Sequence, residues 1–241
     1  MRISRLFSSV ALPHSGSFTL DEAASHYLLK VLRSHVGYRF VLFDGSGEEF
    51  DVELVAATKK AATVEIINVR PGLPESPLSS HLAIGISKGD RMDFVLQKAT
   101  ELGVSEITPL FTEHSDVKLS GDRLEKKLHH WQGVLKSACE QCGRSVVPLL
   151  NQPTQLQPLL DTVASEAKFV LYPTSDNKLQ STLAPASACL LIGPEGGLSQ
   201  VEIDQSLAAG FKPLQLGPRV LRTETAPLAA LALLQYLWGD L

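Results

Sequence analysis

The sequence predicts an α/β protein in two parts: a small antiparallel β unit, then a larger unit built on a mostly parallel sheet. Three observations carry that prediction. Between residues 39 and 69 short β-rich runs are separated only by turn residues. Residues 71–80, "PGLPESPLSS", hold three prolines, three serines and a glycine with almost nothing to bury. Beyond them, apolar runs of strand length alternate with helical stretches.

In chain order, "RFVLFDG" (39–45), "EEFDVELVA" (48–56) and "AATVEIINV" (61–69) read as strands, punctuated by Asp44-Gly45 and Lys59-Lys60. Such short turns join antiparallel neighbours. The proline-rich stretch is the expected linker. Strands follow at 82–86, 106–111, 168–172, 189–192 and 213–216, with helices near 91–102, 122–143, 199–209 and 224–238. Alternation of this kind implies parallel strands with helices on both faces. The last helix contains "APLAALALLQYLW" (226–238), which is interrupted by Gln235 and falls short of the ~20 apolar residues of a membrane span, so it reads as a buried helix.

With 241 residues, 44% apolar and 20% charged, the chain can build a core and does not have the composition of a disordered protein. A formal net charge of -4 argues against coating nucleic acid by bulk electrostatics. The charge is unevenly spread, however. Residues 1–40 carry Arg2, Arg5, Lys30, Arg33 and Arg39 against Asp21 and Glu22, whereas residues 145–241 carry five basic and eight acidic residues. A polyanion is therefore expected at the N-terminal end. The opening "MRISRLFSSV" lacks an apolar segment of signal-peptide length, and three cysteines do not make a disulfide framework, so a cytoplasmic protein is expected.

Two stretches raise the question of a ligand. "IGPEGGL" (192–198) and "LGPRVLRTETA" (216–226) each come off an apolar run and meet Gly-Pro at once. In parallel sheets ligands sit outside the carboxyl ends of the strands, where both exits fall. Proline-fixed turns with several glycines let backbone N–H and C=O groups approach a ligand without a Cβ in the way. Ser199, followed three residues later by Glu202, reads as a capping box. The plain alternative is that Gly-Pro merely ends two strands. Neither G-x-G-x-x-G after a strand nor G-x-x-x-x-G-K-[ST] occurs, and Glu195 would repel a phosphate held against the glycine amides. A nucleoside with positive charge and no phosphate fits better: Leu216 and Leu221 supply apolar walls, main-chain groups the base edge, and Glu195 a partner for hydroxyls or a cation. S-adenosylmethionine has that chemistry.

Together with "KGDRMDFVLQKATELGV" (88–104) and "EQCGRSVVP" (140–148), these stretches resemble the conserved blocks of the RsmE family of 16S rRNA uracil-N3 methyltransferases, within the SPOUT superfamily. "SRLF" (4–7) and "HYLLKVLR" (26–33) resemble that family's opening, so the likeness runs from end to end. The resemblance implies a PUA-like β-barrel that binds RNA over residues 1–72. It implies a SPOUT methyltransferase domain over residues 73–241, whose mostly parallel sheet carries a trefoil knot, a rare departure from ordinary chain topology.

By the same resemblance the knot makes the S-adenosylmethionine pocket. Gly193, Pro194, Glu195, Gly196 and Gly197 form one wall, Leu216 and Gly217 a second, and Leu221, Arg222, Thr223, Thr225 and Ala226 a third, with Leu171, Tyr172 and Pro173 at an earlier strand end nearby. The implied protein is a homodimer that methylates N3 of a specific uridine in the decoding region of 16S rRNA, within the small ribosomal subunit. His114 stands where the family pattern has Arg.

Methylation at N3 requires that atom to lose its proton from the Watson–Crick edge, so the target base must be unpaired, splayed out or flipped. Arg222 is the expected stabiliser of negative charge developing on the base, unless it pairs with Glu224 instead. Glu224 and Glu195 are candidate bases if burial raises their pKa. RNA docking is assigned to Arg5, Lys30 and Arg33, with Lys88, Arg91 and Arg144 extending the track; exposed helix charge is the alternative. Lys30 and Arg33, three apart, are expected on one helix face.

Cys139 and Cys142 have C-x-x-C spacing without a second Cys/His pair, which points to helix packing, and no metal site is expected. Two rival readings stay open: a non-catalytic RNA-binding dimer that keeps the knotted fold, and an enzyme with a phosphate-bearing cofactor, against which the missing fingerprint and Glu195 both count.

Overall fold

The computed structural model describes residues 4–117, 119–172 and 184–241. Two compact units result: Met1–Glu75 with Lys136–Val147, and Ser76–Leu135 with Pro148–Leu241. The division at Glu75 falls inside the proline- and serine-rich stretch.

The first unit contains β1 (Arg5–Phe7), β2 (Ser17–Thr19), the short helix α1 (Glu22–His26), β3 (Arg39–Phe43), β4 (Glu48–Ala57) and β5 (Ala62–Pro71). The strands form one sheet in the order β1-β3-β4-β5-β2. All pairs are antiparallel except β1 with β3, which are parallel. The long strand β4 alternates as a half-buried strand should: Phe50, Val52 and Leu54 point into the core, where Leu28, Phe40, Leu42 and Val64 meet them. The β3–β4 turn is held by Asp44, whose Oδ1 accepts from the Ser46 N–H at 3.1 Å and whose Oδ2 accepts from the Leu12 N–H at 2.9 Å, with Gly45 at φ 91. Burial alone would raise the Asp44 pKa, but these hydrogen bonds outweigh it and hold the carboxyl below its usual range.

The chain returns to this unit at Lys136–Val147 because its side chains finish that unit's polar contacts. Glu140 Oε1 accepts from the Phe7 N–H at 2.9 Å, Ser145 Oγ donates to Glu49 Oε1 at 3.0 Å, and Arg144 pairs with Glu75. Cys139 is buried here and its Sγ–H donates to Val146 O at 3.6 Å; burial pushes this thiol up to about 12.

The second unit runs β6 (Ser79–Gly85), α2 (Asp90–Glu101), β7 (Glu106–Phe111), α3 (Gly121–Cys142, whose last turns belong to the first unit), β8 (Leu149–Leu150), β9 (Thr154–Gln155), α4 (Leu156–Thr162), β10 (Ala167–Leu171), β11 (Ser187–Ile192), α5 (Gln200–Ala208), β12 (Lys212–Leu214) and α6 (Thr225–Trp238). The sheet order is β12-β10-β11-β6-β7-β8, with β9 also paired to β7, and every pair is parallel. The central strands β6 and β11 are apolar and buried almost throughout, as a sheet covered on both faces demands. On one face Ala83, Leu110, Val170 and Leu191 pack with Leu156 and Leu159 of α4 and Ile203 of α5. Alternate residues of the same strands, Leu82, Ile84 and Leu190, are buried on the other face, where α2 packs on α6 and α6 on β11.

In α6 the polar interruption Gln235 is fully buried and satisfied: its Oε1 accepts from Ser76 Oγ at 2.6 Å and its Nε2 donates to Gly103 O at 3.3 Å. Among the described residues no helix is long and apolar enough to cross a membrane. From β6 the strands proceed outward through β7 to β8, whereas on its other side lie β11, β10 and β12, all later in sequence. The order therefore reverses between β6 and β11, and sheets of this kind bind ligands at the carboxyl ends beside such a reversal.

Candidate active site

The chain leaving β11 is shaped by glycine and proline at close quarters. A Cβ on Gly193 would lie 2.7 Å from the Gly197 carbonyl carbon and the Leu198 nitrogen, and one on Gly85 would lie 2.5 Å from Pro194. The Gly197 N–H donates to Pro194 O at 2.8 Å, and Gly197 itself has φ 73, a left-handed conformation that favours glycine. Immediately after, α5 opens on the capping box expected from sequence: Ser199 Oγ accepts from the Glu202 N–H at 3.3 Å and Glu202 Oε2 from the Ser199 N–H at 2.8 Å. Glu202 Oε1 also accepts from the Glu113 N–H at 2.9 Å, tying the loop after β7 to this turn.

The same β7 loop places His114 behind the glycines. Its Nδ1 lies 3.1 Å from Gly196 O and 3.3 Å from Gly197 O. Carbonyls only accept, so Nδ1 carries the proton. A Cβ on Gly196 would come within 2.8 Å of His114 Cβ, so Gly196 is needed for packing against the imidazole rather than for lining a cavity.

A second loop follows β12. The Tyr172 N–H donates to Leu214 O at 3.0 Å, which keeps the ends of β10 and β12 together. Gly217 turns the chain at φ 95, and the N–H groups of Thr225 and Ala226 both donate to Arg222 O at 2.9 Å to start α6. Between the two loops lies a cavity of about 640 Å³. Leu171, Tyr172, Gly193, Pro194, Glu195, Gly197, Leu216, Gly217, Leu221, Arg222, Thr223, Glu224 and Ala226 all line it. Gly196 and Thr225 do not, and Pro173 lies outside the described residues.

Sequence reasoning missed Ile192, Leu198, Ile203, Leu214, Gln215, Arg219 and Val220. Most are immediate neighbours of expected residues, but Ile203 comes from the first turn of α5 and carried no separate signal.

Glu195, between the glycines, accepts through Oε1 from the Lys88 N–H at 3.1 Å and from Arg91 Nη1 at 2.8 Å. Burial pulls its pKa upward, but hydrogen bonds from its own backbone, Lys88 and Arg91 prevail and hold the carboxyl below its usual range. Glu195 thus lacks the raised pKa that a general base needs. Glu224 Oε2 lies 4.0 Å from Arg91 Nε, so its ion pair is with Arg91, and the expected alternative pairing of Arg222 with Glu224 gives way to that one.

The residues assigned to RNA docking separate into three groups. Arg5 and Arg144 turn inward: Arg5 pairs with Glu49 and donates to Arg144 O at 3.1 Å and Ser145 Oγ at 3.2 Å, while Arg144 pairs with Glu75. Both are largely buried in the first unit, which leaves them unfit for a phosphate track. Lys88 Nζ pairs with Asp116 at 2.6 Å, and Arg91 enters the cavity. Lys30 and Arg33 are exposed, but not on a shared α-helical face. Tyr27–Val31 form one π-helical turn, closed by the Leu32 N–H donating to Tyr27 O at 3.0 Å, and Arg33 follows with φ 52. A basic side chain in the left-handed region, beside exposed Tyr27, Val31 and Leu32, marks this turn as an unusual surface.

Fold and site together define a class: an RNA methyltransferase with a PUA-like N-terminal domain and a SPOUT-type α/β domain. Residues 74–235 match the model of an RNA methyltransferase domain, and residues 20–67 that of an RNA methyltransferase PUA domain. The chain is 36% identical to ribosomal RNA small subunit methyltransferase E of Buchnera aphidicola (subsp. Schizaphis graminum), over 100% of this chain and 98% of that protein. The Bacillus subtilis protein of the same name is 31% identical over 91% and 90%. A ribosomal RNA small subunit methyltransferase E from Neisseria gonorrhoeae, solved bound to S-adenosylmethionine, superposes with a TM-score of 0.92 at 38% identity, covering 99% of each chain. A Legionella pneumophila protein, solved in complex with the same cofactor, gives 0.96 at 40% identity over 100% of both. The chain belongs to the ribosomal RNA small subunit methyltransferase E family.

Proposed function

We propose that this protein transfers a methyl group from S-adenosylmethionine to N3 of a uridine in the decoding region of 16S rRNA, within the small ribosomal subunit. The observation that carries the reading is the cavity at the carboxyl ends of β10, β11 and β12, built from both Gly-Pro exits and lined by most of the residues expected there. Its chemistry fits the cofactor. Leu171, Leu216 and Leu221 give apolar walls, the glycine backbone allows close approach, and Glu195 and Glu224 bring carboxylate oxygens that can accept from hydroxyls. Bound there, the cofactor supplies an electrophilic methyl group.

The chain's own residues supply alignment and charge. The Gly193–Gly197 loop and residues 214–226 hold the donor, Arg222 faces the same cavity from an exposed position and stabilises the base as it becomes anionic, and Glu224 is the remaining candidate to take the N3 proton. Of the residues assigned to RNA docking in the N-terminal unit, Lys30 and Arg33 are the exposed ones, and they meet rRNA phosphates. Family membership supports a trefoil knot formed by the C-terminal chain. Exposed Leu233 and Tyr236 on α6, and Val201 and Leu207 on α5, support a homodimer. The substrate puts the reaction in the cytoplasm, and none of the proposed steps calls for a metal.

Mass spectrometry of rRNA, after incubating the pure protein and methyl donor with small subunits lacking the modification, tests the proposal. A methyl group on a uracil N3 is expected; methylation of ribose or of another base refutes it.

A further inference from the structure

Arg91 reaches the cavity from the first turn of α2, outside both of the loops that form its walls. Its Nη1 donates to Glu195 Oε1 at 2.8 Å, and its Nε lies 4.0 Å from Glu224 Oε2. One guanidinium thus joins three stretches far apart in sequence: the exit of β6, the glycine loop after β11, and the start of α6.

The geometry points to Arg91 as a positioning residue for methyl transfer, which holds Glu195 and Glu224 together at the cavity and balances their charge where the base turns anionic. The inference rests on reading the cavity as the cofactor site. Without Arg91 the two carboxylates would lose the cation between them, and like charges would drive the loops apart.

Among the described residues no neighbour takes its place. Lys88 offers Glu195 only its backbone N–H, because its Nζ is paired with Asp116 at 2.6 Å. Arg219 and Arg222 line the cavity from the loop after β12, and neither pairs with Glu195 or Glu224. A residue that merely met RNA phosphates would leave the reaction's pH dependence alone; one that sets the charge around the reacting base would not.

Arg91→Gln and Arg91→Lys, in the full-length enzyme, separate the two roles. For Arg91→Gln with saturating subunits, kcat is expected to fall about 10- to 100-fold, and the rising limb of the pH–rate profile to move to higher pH because the base must ionise in a more negative site. Affinity for rRNA and the slope of log K against log salt should stay as in the unaltered protein. Arg91→Lys should restore part of kcat and the position of the limb. In the Arg91→Gln/Glu195→Gln pair the losses should be smaller than the product of the single effects, because both act through one contact. The inference is overturned if Arg91→Gln lowers the salt slope by about one while leaving kcat intact, which is the behaviour of a phosphate contact. It is also overturned if kcat falls with the pH limb unmoved and the double variant multiplicative. An unaltered protein that methylates no subunit at all takes down the functional reading, and this inference with it.

Discussion

At Gly193 a methyl group has nowhere to go, because its Cβ would sit 2.7 Å from two backbone atoms of the same loop. Backbone cannot swing aside as the end of a flexible side chain can, so Gly193→Ala must open the loop that forms one wall of the cavity. The expected cost is about 1–3 kcal/mol of stability, read from denaturant unfolding, with at least about a tenfold loss of affinity for S-adenosylhomocysteine in calorimetry. Gly196 and Gly197 are needed for different reasons, one for His114 and the other for its positive φ. Sequence shows that glycines cluster here, but not which of them faces a ligand. Arg91 makes the same point more sharply. A basic residue after a strand reads equally well as a phosphate contact or as a partner for a carboxylate about a hundred positions away, and only the fold decides.

At the scale of elements, long periodic segments were legible and short ones were not. Strands β6, β7, β10, β11 and β12 and the helices α2, α3, α5 and α6 follow from apolar runs and periodicity, and the α5 cap from Ser199 and Glu202. The two-residue strands β8 and β9 and the three-residue β1 and β2 are too short to show a period, and α4 is a seven-residue helix with Pro158 inside it. The π turn after α1 was missed because five residues with apolar and basic side chains look α-helical until the hydrogen bonds are seen.

Helices α2 and α3 are tied by Asp93, which accepts from Lys127 Nζ at 3.2 Å and His130 Nε2 at 2.6 Å. Burial raises the pKa of Asp93, but His130 and Lys127 together outweigh it and hold the carboxyl below its usual range. A depressed carboxyl stabilises the fold at pH above its unfolded pKa, and that contribution disappears as pH falls through the folded value. Asp93→Asn should therefore cost about 0.5–1 kcal/mol at pH 7, a small figure because the groups are partly exposed. The difference from the unaltered protein should shrink in urea unfolding as pH falls through the carboxylate range and vanish once Asp93 is protonated in the folded state. A gap that persists there would mean that packing, not charge, is at work.

For the molecule as a whole, the first unit runs to Glu75, within the proline- and serine-rich stretch, and takes in Lys136–Val147, a return that the sequence did not signal. The amphipathic pattern of α3 runs on without a break through Lys136, and the reason for the return lies in contacts such as Glu140 with Phe7 and Arg144 with Glu75, which sequence does not display. Those contacts withdraw Arg5 and Arg144 from solvent, whereas Lys30 and Arg33 stay exposed on their turn. Reversing the charge at Arg33, with Arg33→Glu, should weaken rRNA binding and flatten its salt dependence by about one or two ions, with cofactor affinity unchanged. Unaltered binding would remove the turn from the RNA interface.

The central claim is that the two glycine-bearing loops enclose an adenosyl cofactor that carries no phosphate. A crystal structure with S-adenosylhomocysteine addresses it most directly. The account predicts the molecule between the Gly193–Gly197 loop and residues 214–226; finding it elsewhere, or finding that space empty at saturating ligand, would contradict the account.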